Sequence, residues 1–194
     1  NGVAVLWIAI AITTVGSALL VAIDNTDVAT DGAWKYVLIA SSGLGIAVLA
    51  TIVLYYAGSQ ALGTSYDLEF DPLLAAAKHL PKVPVELAFG LAVVGFGTKV
   101  GLFPVHTWLP DAHAEAPTPI SALLSGALLA TSFYAILLFY QIAVATVGPT
   151  FPQTVLLVCG VLSLLLAALY LFGQKNIKRM LAYSSLEQMG LVAV

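Results

Sequence analysis

Six apolar runs, most of them about 20 residues long or longer, set the limits on what this chain can fold into. They cover approximately residues 3–23, 33–57, 84–103, 119–147, 154–173 and 179–194, the last cut short where the sequence stops. A helix of about 20 residues crosses roughly 30 Å of hydrocarbon, the thickness of a bilayer core. The runs are apolar on every face, as helices surrounded by lipid and other helices must be. The alternating pattern of a membrane β-barrel is missing, and lipid admits only helices or closed barrels. The expected fold is therefore all-α, a polytopic membrane helix bundle.

Composition closes off the soluble alternatives. Charged residues make up 9% of the chain and hydrophobic residues 60%, where a soluble domain carries roughly 25% charged residues. A surface so poor in charge is solvated by lipid or by other apolar subunits. A net charge of -3 excludes a basic nucleic-acid surface. The first run has neither a basic leader nor a small-residue cleavage site, so it reads as a true span. With no initial methionine and an apolar run at each end, the chain reads as part of a longer protein, and residues 1–194 as one transmembrane domain.

Between the second and third runs, residues 58–83 read as a loop with a small interfacial helix around Leu73 to Ala77. The basic cluster "QKNIKR", with Lys175, Lys178 and Arg179, is expected on the cytoplasmic side. That choice puts "DNTDVATDG" and "WLPDAHAEAPTP" on the same side.

Ionisable groups inside such runs are costly and mark function by default. Lys99 stands near the end of the third run, and Glu86, thirteen positions earlier, points roughly 220° away around the helix. His106 follows seven positions later, on the face Lys99 would share in an unbroken helix. Pro104 lacks an N–H and so prevents an ideal helix there, while Gly97 and Gly101 lower the resistance to a break. Opened backbone at membrane depth is tolerated where it lines a hydrated cavity or is buried in protein. Gly101 and Pro104 are thus the expected helix-break residues. Lys99 with His106 reads either as a water-bridged proton relay or as a snorkelling lysine beside a structural histidine.

Lys35, between Trp34 and Tyr36 at the head of the second run, has the pattern of an interfacial anchor. In "KRMLAYSSLEQMG", Tyr183 and Glu187 are four apart, as are Ser184 and Gln188, which suits either helix packing or a proton path. Asp111, His113 and Glu115 lie between Pro110 and Pro117 and read as an irregular loop capping the next helix, in preference to a metal site. Cys159 is a lone cysteine in an apolar run, and no phosphate loop, dinucleotide fingerprint, iron–sulfur set or hydrolase triad is present. No catalytic residue, cofactor or metal is assigned to this chain.

The segments "KVGLFPVHTWLPDAHAEAPTPISALLSG" and "KRMLAYSSLEQMG" resemble the antiporter-like proton-translocating subunits of respiratory complex I, Mrp antiporters and energy-converting hydrogenases. "LWIAIAITTVGSALLVA" and "AWKYVLIASSGLGIAVLATIVLYY" resemble in particular the hydrogenase-4 component F and formate hydrogenlyase branch. The resemblance implies a fold of about fourteen spans, of which this chain is roughly the fifth to the tenth. It implies that Lys99 is the proton-carrying lysine of a broken seventh helix. His106, Lys35 and Tyr183 then fall on further relay positions. Ala11 stands where relatives usually carry a glutamate, Ala130 where many, though not the hydrogenase-like branch, carry a second lysine, and Gln188 where they carry a histidine.

The implied function is a proton-translocating membrane subunit of an NADH:quinone oxidoreductase-like or hydrogenase-like complex, coupling redox energy to proton movement. The alternatives are an Mrp-like sodium/proton antiporter module and a degenerate scaffold that moves no protons, which Ala11 and Ala130 favour. The implied partners are other membrane subunits, the lipid bilayer and protons or sodium, with no nucleic acid. The implied location is the prokaryotic inner membrane.

Overall fold

A computed structural model describes residues 2–194. Nine α-helices follow one another among the described residues: α1 Val3–Val21, α2 Asp27–Leu62, α3 Phe70–Ala75, α4 Lys82–Val100, α5 Leu109–Glu115, α6 Thr118–Leu123, α7 Leu129–Val147, α8 Thr150–Leu171 and α9 Ile177–Ala193. A 3₁₀ turn at Ala77–His79 follows α3, and a π-helical turn at Leu124–Leu128 joins α6 to α7 without a gap. Gly2 and Glu69 form an isolated antiparallel bridge.

Five stretches are long and apolar enough to cross a membrane: α1, α2, α4, the continuous run Thr118–Val147, and α8. The sixth expected span is present as α9, but as a helix of 17 residues. Its first turn carries Lys178 and Arg179, which dilute the apolar face needed for a full crossing. α2 runs longer than its apolar stretch at both ends. Thr26 caps its start by accepting from the Ala29 N–H at 3.1 Å. Gly63, with φ 86°, ends it.

α4 is the centre of the bundle: 61% of its most apolar stretch is buried, against 22% for α8. It packs against α2 along a seam of small residues. A Cβ on Gly95 would lie 2.5 Å from the Ala47 backbone nitrogen, and one on Gly43 would overlap Thr98. Without a hydrophobic force between helices in lipid, such close backbone approach is what holds them together. α1 joins the pair through Trp7, whose indole N–H donates to the Leu44 carbonyl at 2.8 Å. On the outside, Val5, Ile8, Ile12, Val15 and Leu19 of α1 are exposed. That apolar outer face is the inverse of a soluble helix and suits lipid or a neighbouring subunit.

The segment 110–117, expected to be irregular, is mostly helical, as part of α5. Pro110 occupies its first turn, where a missing N–H costs nothing. Asp111 does not cap the following helix: α6 has no side-chain cap, and Ser121 instead donates to the His113 carbonyl at 2.8 Å.

Candidate functional site: the enclosure of Lys99

Lys99 lies in the last turn of α4 and is 2% exposed. Its Nζ donates to the Tyr36 hydroxyl of α2 and sits 4.4 Å from the centre of the Tyr36 ring. The Tyr36 hydroxyl is 2.7 Å from the Ser17 hydroxyl of α1. Ser17 in turn donates to the Thr14 carbonyl at 3.1 Å. Trp108 packs against Tyr36, with ring centres 4.6 Å apart, and is fixed by its indole N–H donating to the Thr98 carbonyl at 2.7 Å. Three helices and the approach to α5 therefore enclose one amine. Among the described residues the ion pairs involve Lys35 and Arg179, and no carboxylate pairs with Lys99.

Just beyond the lysine the helix opens. Gly101 adopts φ 82°, a left-handed conformation that costs an L-residue roughly 1–2 kcal/mol. The N–H groups of Gly101 and Leu102 both return to the Gly97 carbonyl, at 2.8 and 2.9 Å. The helix is thus closed by Gly101, ahead of Pro104. In the opened segment the Phe103 N–H donates to the Ser163 hydroxyl of α8 at 2.9 Å, and the Val105 N–H to the Leu102 carbonyl at 2.9 Å. Protein groups thus satisfy these opened amides, one of the two conditions under which irregular backbone is tolerated at depth.

The other residues singled out from the sequence lie around this enclosure without hydrogen-bonding to Lys99. His106 is buried after the break, and its Nδ1 has no partner among the described residues. Burial pushes its imidazole below the ordinary value, with the Pro104 backbone acting in the opposite sense. Lys35 leaves α2 in a different direction from Tyr36 and pairs with Asp31 at 2.7 Å and Asp111 at 3.1 Å. Arg179 of α9 pairs with the same Asp111. Tyr183 stacks on Tyr170 of α8, 5.3 Å between ring centres. Ala11 is half-buried on α1, one turn before Thr14, and Ala130 is exposed.

Asp111 fastens α2, α5 and α9 at one end of the bundle, through Lys35 and Arg179. Its side chain is 25% exposed, so water and salt screen the pairs. Asp111→Ala is expected to assemble normally and to unfold in detergent with a weaker salt dependence than the unaltered protein. An identical salt dependence in thermal unfolding would show that the cluster contributes nothing to stability.

Four residues have a place in the fold that their sequence pattern does not show. Tyr36 shares the anchor pattern of Trp34 and Lys35, yet one step along a helix turns a side chain by about 100°. The packing of α2 against α4 and α1 decides between them, turning Tyr36 inward and Lys35 outward. Ser17 and Trp108 carried no signal apart from their polar atoms in apolar surroundings. His113 is buried, lines a cavity of about 310 Å3 with Ser121, Ser184, Gln188 and Lys178, and its Nε2 has no partner among the described residues. Burial pushes its imidazole down to about 4, so it is neutral at physiological pH. Across the same cavity Ser125, in the π-helical turn, meets Ser185 of α9 at 2.7 Å.

Over residues 1–194 the chain matches the transmembrane family described as NADH:quinone oxidoreductase/Mrp antiporter. It is 38% identical over 194 residues to a hydrogenase-4 component F homolog of Methylacidiphilum infernorum, covering all of this chain and 41% of that protein. It is 38% identical over 148 residues to an NAD(P)H-quinone oxidoreductase chain 4 of a Synechococcus strain, covering 75% of this chain and 28% of that one. A subunit in the structure of the membrane-bound sulfane sulfur reductase, an archaeal respiratory membrane complex, superimposes with a TM-score of 0.89 at 26% identity. That match covers 100% of this chain and 38% of the subunit. The chain therefore spans about two fifths or less of the length of these relatives.

Proposed function

The chain belongs to the NADH:quinone oxidoreductase/Mrp antiporter transmembrane family and is a multi-pass membrane protein, and from that premise we propose that it is part of a proton-translocating subunit of a respiratory-type oxidoreductase or hydrogenase complex. Residues 1–194 are then a portion of one antiporter-like domain in a prokaryotic inner membrane. Its partners are the complex's other membrane subunits and the redox arm they carry.

The observation that carries this reading is Lys99. Burying a lysine in a span costs about 3 kcal/mol or more on insertion scales, and leucine would avoid that cost at a purely structural position. Here the amine is enclosed, held by a hydroxyl in place of a carboxylate, and set one turn from opened backbone. An amine with no fixed counter-charge can exist with or without its proton, which a carrier requires. In this scheme Lys99 takes up and releases the proton. His106, past the break with a free ring nitrogen, Lys35 at the aqueous end, and Tyr183 on α9 are the further stations.

The missing carboxylate also favours a second reading, a scaffold that packs helices and moves no protons. The test is the full-length protein in its parent complex, reconstituted in sealed vesicles, with redox turnover and proton uptake followed together. The expected result is uncoupler-sensitive proton uptake that accompanies turnover without added sodium. Uptake that needs sodium would support the Mrp-like antiporter instead. Turnover with no proton movement would establish the scaffold.

A further inference from the structure

Lys99 meets a tyrosine that itself meets a serine, and the chemistry of those three groups allows more than a static contact. An ammonium has three donors and no acceptor, whereas a neutral amine carries a lone pair that accepts. A carboxylate can serve only the first form. A hydroxyl can serve both, because it donates and accepts.

We propose that Tyr36 is the positioning residue of the Lys99 amine and that, with Ser17, it reverses its hydrogen-bond direction as the lysine gains and loses its proton. The proposal rests on the proton-carrying reading of Lys99. With Lys99 protonated, Nζ–H donates to the Tyr36 oxygen. The Tyr36 O–H then donates to Ser17, and the Ser17 O–H to the Thr14 carbonyl. With Lys99 neutral, the Tyr36 O–H turns to the Nζ lone pair and the Ser17 O–H turns to the Tyr36 oxygen. Only O–H bonds rotate; no covalent bond forms or breaks.

The surroundings suit this role. Tyr36 is fully buried, Ser17 is 5% exposed, and Trp108 covers the Tyr36 ring. The heavy atoms are thereby held while the hydroxyl hydrogens remain free to turn. Both hydroxyls belong to helices other than the one carrying the lysine, so the charge on α4 is registered on α2 and α1.

The experiment uses the full-length protein in its parent complex, with protons moved per redox turnover as the readout and Lys99→Ala alongside. Tyr36→Phe removes one oxygen and is expected to lower that ratio about tenfold, the size of one hydrogen bond to a charged group. Ser17→Ala is expected to lower it less, Ser17→Thr to restore it by restoring the hydroxyl, and the double variant to fall no further than Tyr36→Phe alone. Non-additivity of this kind marks groups acting as one unit. If Tyr36→Phe fails to assemble, the Ser17 pair decides. Ser17→Ala at the wild-type ratio, or equal to Ser17→Thr, overturns the proposal. Wild-type ratios in Tyr36→Phe and Ser17→Ala with pumping lost in Lys99→Ala overturn it too, and leave the carrier reading standing. Wild-type pumping in Lys99→Ala sinks both.

Discussion

Lys99→Ala, introduced into the full-length protein, is expected to leave assembly intact and to lower proton translocation by at least tenfold. Assembly survives because the change removes a costly buried cation and orphans nothing: Tyr36 keeps its contact with Ser17 at 2.7 Å. Apolar alanine suits an enclosure lined by Tyr36 and Trp108. Translocation fails because no other amine among the described residues occupies that enclosure. Lys99→Arg gives the complementary result. It preserves the positive charge, but a guanidinium holds its proton too tightly to exchange, so this variant is also expected to stall. The two together separate charge from proton exchange. Proton uptake beside redox turnover in vesicles is the measurement, and wild-type pumping by both variants would reduce Lys99 to an anchor.

The second large effect is structural. Gly95→Leu is expected to prevent stable association of α2 with α4 and to reduce the yield of assembled protein severely. The first carbon of any side chain at residue 95 would lie 2.5 Å from the Ala47 nitrogen and 2.9 Å from its Cβ. Backbone cannot step aside as a flexible side chain can, so the helices must part. Overpacking costs roughly 1–3 kcal/mol or more, a large share of a typical stability of about 5–15 kcal/mol. Gly45 provides the control, since a Cβ there would meet nothing within 4 Å. Gly45→Leu is expected to purify like the unaltered protein. Equal yield and equal unfolding temperature for the two leucine variants would show that α2 and α4 do not touch at residue 95.

The spans and the break were legible because both are one-dimensional signals. An apolar run of sufficient length has few options in lipid, and a glycine two positions and a proline five positions beyond a lysine interrupt a helix wherever they stand. Lys99 was legible for the same reason, as a charge in an apolar text. Its partner was not. Tyr36 sits in an "AWKY" motif whose composition matches an interfacial anchor, and only the fold of α2 against α4 and α1 shows which of the neighbouring side chains turns inward. α5 escaped because Pro110 and Pro117 were both read as breakers, although Pro110 falls in a first helical turn and Pro117 lies past the last. His113 escaped because burial is a property of the packed chain, and nothing local distinguishes a capping histidine from an enclosed one.

The order in which the chain is made bears on the two costly features differently. Tyr36 precedes Lys99 by 63 residues, and Ser17 precedes Tyr36 by 19. A chain leaving the ribosome from its N-terminus therefore delivers both hydroxyls to the membrane before the amine that needs them. The acceptor for the Phe103 N–H is Ser163, 60 residues later, and Ser125 likewise waits 60 residues for Ser185. At the moment α4 is inserted, the buried lysine finds its partner already in place, while the opened backbone beside it stays unsatisfied by α8 until the following helices have been synthesised.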